Sequence, residues 1–314
     1  MNEESLLWVT GGRGFVGRRV ARAFAARGWT VSGLGRGEWT DHLDWGVQHW
    51  LSSSVSDAAL DTWLEATGRP DAVFHAAGSG TVAQAVARHR EAFADTVTSA
   101  FDVIEFLRTK APEAVLVYPS SCAVYGQATL PTPESAPLAP VSPYGSHKAA
   151  VESLLDRAST TFGLRSAIIR FFSIYGSGLT KQIFWDLAQR ILQRDEVVTL
   201  GGTGLETRDF IHIDDAIELI DVSIRSVASS SPGSPLVVNG GTGRSVSIAD
   251  IARLVVASMD ASTRIEFSGV QRPGDPSHYQ ADNSRAASLG FRPSRAIEEG
   301  VSEYCEWVAR TAPA

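Results

Sequence analysis

Tyr144 and Lys148 stand four residues apart in "YGSHK". In a helix that spacing puts both side chains on one face, a turn apart. A lysine beside a phenol favours the phenolate and lowers its pKa, so such a tyrosine can exchange protons near neutral pH. Upstream, an apolar run ends in "YPSSCAVYG", where the hydroxyl of Ser121 can bind the same substrate oxygen. Tyr-x-x-x-Lys alone is a frequent accident. Joined to a hydroxyl at a strand end and a glycine loop near the start of the chain, it marks Ser121, Tyr144 and Lys148 as a proton-transfer set.

The glycine loop is "TGGRGFVG", residues 10–17, between the apolar run "LLWVT" and a helical pattern. Gly11 suits the tight turn, Gly14 the close approach of backbone to a pyrophosphate, and Gly17 the packing of helix on strand. Phe15 and Val16 open the helix whose N-terminus meets the phosphates. Dinucleotide readers of NAD carry an acid about 20 residues further on, for the ribose hydroxyls. Here the second strand reads "VSGLGRG", with Gly35 where the acid would fall and Arg36 next. With Arg13 in the loop, two guanidinium groups can converge on a 2′-phosphate, so the expected cofactor is NADP(H) in preference to NAD(H). The plain alternative is that both arginines are merely exposed.

These residues need a scaffold. Short β-type runs at 6–10, 29–34, 71–77, 113–120 and 165–172 alternate with helical patterns near 14–28, 57–67, 81–109 and 144–162. That alternation predicts βαβ units and a doubly wound parallel sheet, α/β in class. Beyond residue 172 glycine and proline interrupt shorter elements, but amphipathic patterns near 181–194, 214–226, 247–258 and 295–309 persist. The division expected is a dinucleotide-binding domain over 1–172, with elements returning near 208–239. A smaller α/β substrate-binding lobe, mainly 173–314, lies over the carboxyl edge of the sheet, where such folds bind ligands.

Composition narrows the function. The chain has 314 residues, 44% hydrophobic and 20% charged, with a formal net charge of -7. An acidic balance argues against nucleic acid as a partner. No apolar stretch approaches a membrane span and no basic leader precedes an apolar segment, so the expectation is a cytoplasmic protein without membrane attachment. Cys122 and Cys305 are too few for a disulfide framework and lack metal-ligand spacing, so no metal is expected. Residues 1–37 carry six arginines against two acids. Arg18, Arg19, Arg22 and Arg27 read as the solvated face of one amphipathic helix.

The ordered motifs "TGGRGFVG", "FHAAG", "PSSCAVYG", "SPYGSHKAAVE", "RFFSIYG", "ETRDFIHIDDA", "VVNGGTG" and "RPGD" run the length of the chain. In this the chain resembles the extended short-chain dehydrogenase/reductase family, in particular its nucleotide-sugar epimerases, dehydratases and reductases. The resemblance implies a Rossmann domain, a tightly held nicotinamide cofactor, a nucleoside-diphosphate sugar as substrate, and a homodimer paired through helices near 94–109 and 144–162. It implies Tyr144 as base and acid, with Ser121 and Lys148 assisting. Ser54, Val55, Ala76, Ala77 and Gly78 would line the cofactor. Arg208 of "RDFIHI" and Arg272 of "RPGD" would hold the substrate diphosphate, assisted by Asn239, unless they form ion pairs with Asp209 and Asp275. Ser121, Cys122, Ala123 and Ser173 would face the sugar.

Departures from the family pattern sharpen the reaction. Dehydratases carry an Asp-Glu pair where this chain has Cys122 and Ala123, and an unperturbed thiol titrates at roughly 8.5. Elimination of water is therefore not expected. "SSCAVYG" resembles the epimerase form instead, in which a small residue leaves room for a keto-sugar to turn over. Ser173, Ser177 and Thr96 replace the asparagine, proline and asparagine usual at their positions. Cys122 is off register for the proton-donor cysteine of one related branch and reads as packing, and His75, His147 and His212 read as structural. The function expected is epimerisation at carbon 4 through a transient 4-keto sugar. Its rival is an NADPH-dependent 4-ketoreductase of a 4-keto-6-deoxy nucleotide sugar, and a distant third is a non-catalytic dinucleotide sensor, which would predict a damaged Tyr-Lys pair.

Overall fold

The computed structural model describes residues 5–270 and 276–311. Seven parallel strands form the central sheet: β1 (Leu6–Thr10), β2 (Thr30–Gly35), β3 (Val47–Ser52), β4 (Ala72–His75), β5 (Val115–Ser121), β6 (Ser166–Phe171) and, from later in the chain, β10 (Leu236–Gly240). Their order is β10-β6-β5-β4-β1-β2-β3. Strand order reverses between β1 and β4, and the carboxyl ends of these two strands open the crevice in which doubly wound sheets bind ligands.

Both faces are covered, which is why the strands read as nearly continuous apolar runs. Leu7 and Val9 face one core with α1 (Phe15–Ala26) and α8 (Ile213–Ala228). Their neighbours Leu6 and Trp8 face the other, with α2 (Asp57–Thr67), α5 (Ser99–Lys110) and α6 (Pro143–Phe162). α1 buries Gly17, Val20, Ala21 and Phe24, the spacing of one helical stripe. α6 starts on Ser142, which accepts the Gly145 amide at 3.2 Å with Pro143 in the first turn, and ends at Gly163 with φ +71.

Two elements differ from the sequence expectation. The edge strand β3 escapes the pattern because of its six residues only Val47 is buried. The expected helix over 81–109 is four pieces: α3 (Val82–Ala87), α4 (His89–Phe93), a π-helical turn (Ala94–Thr98) and α5. The π-turn sets two side chains toward neighbouring loops: Thr96 Oγ1 accepts the Ser79 amide at 3.1 Å, and Asp95 pairs with Arg36.

The rest of the chain builds a smaller α/β assembly. β7 (Ser173–Tyr175), β9 (Thr207–His212) and β11 (Ser245–Ser247) form one sheet, and β8 (Val197–Leu200) pairs with β12 (Arg264–Phe267). They share a core with α7 (Gln182–Leu192), α9 (Ile248–Ser258) and α11 (Ile297–Thr311), while α10 (Ser284–Ser288) sits against β10. Among the described residues no helix is long and apolar enough to cross a membrane.

Candidate active site

The glycine loop joins β1 to α1 with no room for side chains at Gly11 and Gly17. A methyl group on Gly11, whose φ is +67, would lie 2.8 Å from the Ala77 amide nitrogen, and one on Gly17 would lie 2.5 Å from the Gly11 carbonyl oxygen. Gly14 caps α1 without a side chain, and no acid occupies the first turn. Open amides and the positive end of the helix dipole therefore face the crevice, a cradle built for phosphate oxygens. The loop after β4 closes the other side: Thr10 Oγ1 accepts the Ala77 amide at 3.1 Å, Ala76 packs on the core, and Gly78 is exposed. Ser54 and Val55 follow β3 at the same edge of the sheet.

At the end of β2 the missing acid has a steric cause. A methyl group on Gly35 would lie 2.7 Å from the Trp50 ring, which also covers Gly33. Trp50 is held edge-on to Trp39 with ring centres 5.1 Å apart. Arg13 reaches the backbone of Arg36 here, its Nη1 lying 3.4 Å from the Arg36 carbonyl oxygen. The Arg36 guanidinium, however, makes two bonds to Asp95, at 2.9 and 3.3 Å.

Ser121, Tyr144 and Lys148 converge at the carboxyl end of β5. The side chains of Ser121 and Tyr144 lie beside each other: burial pushes the Tyr144 phenol up to about 12, and the Ser121 hydroxyl pulls in the opposite direction. Lys148 is buried, donates to the Pro119 carbonyl oxygen at 2.7 Å, and lies 6.0 Å from the Tyr144 ring centre. Burial pulls its ammonium down to about 8, with Glu152 opposing. The expectation that the lysine lowers the phenol pKa is thus corrected: desolvation is the largest influence on both groups, and neither is among the causes of the other's shift.

On the substrate side, Ala123 and Ser173 are half-buried, and Cys122 packs in a small cluster with Val124, Tyr125, Phe172 and Tyr279. Arg208 is held by the Thr207 and Ser277 carbonyl oxygens at 2.9 and 3.1 Å, with its guanidinium 5.1 Å from the Tyr279 ring centre. The carboxylate of Asp209 accepts from the amides of Thr242, Gly243 and Ala281 and from the Thr242 hydroxyl. Asn239 requires a correction: fully buried, its amide donates to the Thr132 and Asp282 carbonyls and accepts from the Tyr125 hydroxyl at 2.7 Å. Both amide hydrogens and one lone pair of its oxygen are thus spent inside the fold. Arg272 lies outside the described residues.

Against this geometry, the family model for the NAD dependent epimerase/dehydratase family matches residues 7–239. The chain belongs to that family. It is accordingly a nicotinamide-dinucleotide enzyme. A UDP-glucose 4-epimerase of Azospirillum brasilense is 27% identical, over 93% of this chain and 88% of the relative. Among solved structures, MoeE5 in complex with UDP-glucuronic acid and NAD is 26% identical, covers 98% of this chain and 99% of its own, and superposes with a TM-score of 0.86. The UDP-glucuronic acid 4-epimerase of Bacillus cereus shares the fold, with 22% identity, 98% and 100% coverage and a TM-score of 0.88.

Two groups around this family site were not read from sequence. Buried Glu152, a turn beyond Lys148, accepts from Ser120 and pairs with buried Arg170 at 2.7 Å; Arg170 also donates to Tyr125 at 3.0 Å, and Tyr125 to Asn239. This chain of bonds underlies Ser121 and Lys148. On α1, the arginines expected to form a solvated face are largely occupied. Arg18 donates to Gly178 and stacks on Trp45, Arg19 binds Ser177 and Asp214, and Arg27 pairs with Glu218 and Asp221, while Arg22 lies near Trp45. An arginine at a helix surface looks the same in sequence whether it meets water or another element.

Proposed function

We propose that this enzyme inverts carbon 4 of a nucleoside-diphosphate sugar, with a uridine diphosphate sugar as the first choice because the relatives above are named for UDP-sugars. The observation carrying the reading is Tyr144 set beside Ser121, with Cys122 and Ala123 next along the chain, a site with a proton-transfer phenol and no carboxylate at the positions where elimination needs one. Tyr144 accepts the proton of the 4-hydroxyl, Ser121 holds that oxygen, and Lys148 keeps positive charge behind the phenol from its seat on Pro119. The bound dinucleotide supplies hydride acceptance and return. Gly11, Gly14 and Gly17 admit its diphosphate, with Phe15, Val16, Ser54, Val55, Ala76, Ala77 and Gly78 around it. Arg208 and Arg272 take the substrate diphosphate, and Ser173, Cys122 and Ala123 border the sugar.

For the cofactor, Arg13 beside Arg36 and an indole in place of an acid favour NADP(H) over NAD(H). Asp95 opposes this preference by pairing with Arg36. The same arginines favour the second reading, a 4-ketoreductase that consumes NADPH. Phe101 on α5 and Phe162 on α6 are about half exposed, at 48% and 57%, which supports pairing of two chains through these helices.

Incubation of the purified enzyme with UDP-hexoses separates the two reactions. Epimerisation gives conversion with no net change in nicotinamide absorbance, abolished in Tyr144→Phe. Loss of one NADPH per product supports the reductase.

A further inference from the structure

Residues 176–181 join β7 to α7 in the smaller assembly, yet they lie against the dinucleotide side. Near their start, Arg19 donates to the Ser177 carbonyl at 3.2 Å and Arg18 to the Gly178 carbonyl at 2.7 Å. A methyl group on Gly178 would lie 3.6 Å from the ring of Phe15, the first residue of α1. At their end, a methyl group on Gly80 would lie 2.9 Å from Nζ of Lys181. Gly80 belongs to the loop after β4, whose Ala76 and Ala77 press on Gly11. The ammonium of Lys181 thus fills the space of the side chain that Gly80 lacks. The segment spans from the first turn of α1 to the loop facing it across the phosphate cradle.

Two further observations point to a ligand. Lys181 is exposed as a residue, no described acid pairs with it, and partial desolvation of its ammonium end lowers its pKa with no opposing charge. The next residue, Gln182, has φ +67, which a non-glycine residue seldom keeps unless its surroundings hold it there. Of the other cations near the cradle, Arg18 is engaged by the Gly178 carbonyl, and Arg13 is turned toward Arg36 at the end of β2.

We propose that Lys181 is a cofactor-binding residue, reaching from the smaller assembly across the crevice to neutralise the diphosphate of the dinucleotide. This rests on the dinucleotide reading of the glycine loop. It follows that the segment over 176–181 ties cofactor retention to the seating of the two parts of the chain, since Arg18 and Arg19 anchor one end and the diphosphate the other.

Calorimetric titration of the wild-type chain, Lys181→Met and Lys181→Arg with ADP-ribose, and separately with UDP, tests the proposal. Lys181→Met weakens ADP-ribose binding about 10- to 100-fold, the worth of one charge-assisted bond, with UDP unchanged and much of the loss restored in Lys181→Arg. Equal ADP-ribose affinity in wild type and Lys181→Met overturns the proposal, as does a loss confined to UDP, which would place the lysine on the substrate instead. A wild-type chain that binds no ADP-ribose overturns the dinucleotide reading and the proposal with it.

Discussion

The ammonium of Lys148 is fixed to the carbonyl oxygen of Pro119 at 2.7 Å, two residues ahead of Ser121 on the same strand. The backbone of β5 therefore fixes both the hydroxyl that holds the reacting oxygen and the charge behind the phenol. Because burial brings Lys148 to about 8 and Tyr144 to about 12, the lysine loses its proton first as pH rises.

Activity should consequently fall on the alkaline side through an apparent pKa near 8, as the positive charge behind Tyr144 is lost. Lys148→Arg, charged at every accessible pH, should lose that limb at the cost of a lower maximum, and Lys148→Met should lose roughly 10²- to 10⁴-fold in rate. Profiles of kcat/KM against pH check this; an unchanged limb in Lys148→Arg counts against the role of the lysine.

The Glu152 and Arg170 pair is buried on both sides, so removing one partner strands the other. Glu152→Gln, nearly the same volume, should cost about 3–5 kcal/mol of unfolding free energy. Denaturant titration measures it, and a loss below ~1 kcal/mol would show that water or local rearrangement satisfies Arg170.

The proposed preference for NADP(H) cannot be reversed by restoring the missing acid. Gly35→Asp would drive its side chain into Trp50, 2.7 Å from where the first carbon must sit, and should destabilise the fold without conferring NAD preference. Arg36→Ala should instead weaken NADP(H) by about tenfold and leave NAD(H) nearly unaffected, one charge-assisted contact being lost. Equal effects on both cofactors would remove Arg36 from the phosphate site.

Burial holds the His75 imidazole down at about 3, with Thr10 Oγ1 2.8 Å from Nδ1. In the unfolded chain the same group gains a proton below about 6.5, so the stability tied to its neutral form is whole above that pH and drains as pH falls toward 3. At pH 5 this amounts to ~2 kcal/mol. His147 and His212, both lowered by burial, act in the same direction. His75→Asn should flatten the decline in stability between pH 6.5 and 4, measured by urea unfolding; an unaltered slope would assign it to other groups.

The parts of the site legible in sequence are those whose chemistry is local. The glycine loop announces itself because glycine recurs at every third position over seven residues between a strand and a helix, and "YGSHK" because helical spacing alone aligns its two groups. Five strands of the large sheet are apolar on both faces and read as runs, whereas β3, with one face open, does not. Residues whose meaning depends on distant partners were misread or missed. Asn239 is polar at a strand end like a ligand contact, but Tyr125 and the carbonyls that consume it come from elsewhere in the chain. Arg18, Arg19 and Lys181 look like surface charges until the segment over 176–181 is folded against α1 and Gly80. In sequence Gly35 shows only as the place of a missing acid, and only the pairing of β2 with β3 brings Trp50 over it.

In the proposed reaction hydride leaves and returns to one carbon while Tyr144 and Ser121 manage its oxygen. A UDP-hexose deuterated at carbon 4, incubated with the enzyme and its cofactor and followed by proton NMR, tests this directly. Inversion at carbon 4 with the deuterium retained there and no net change in reduced cofactor is the predicted result. Deuterium exchanged for solvent hydrogen, or product formed only as NADPH is consumed, would contradict it.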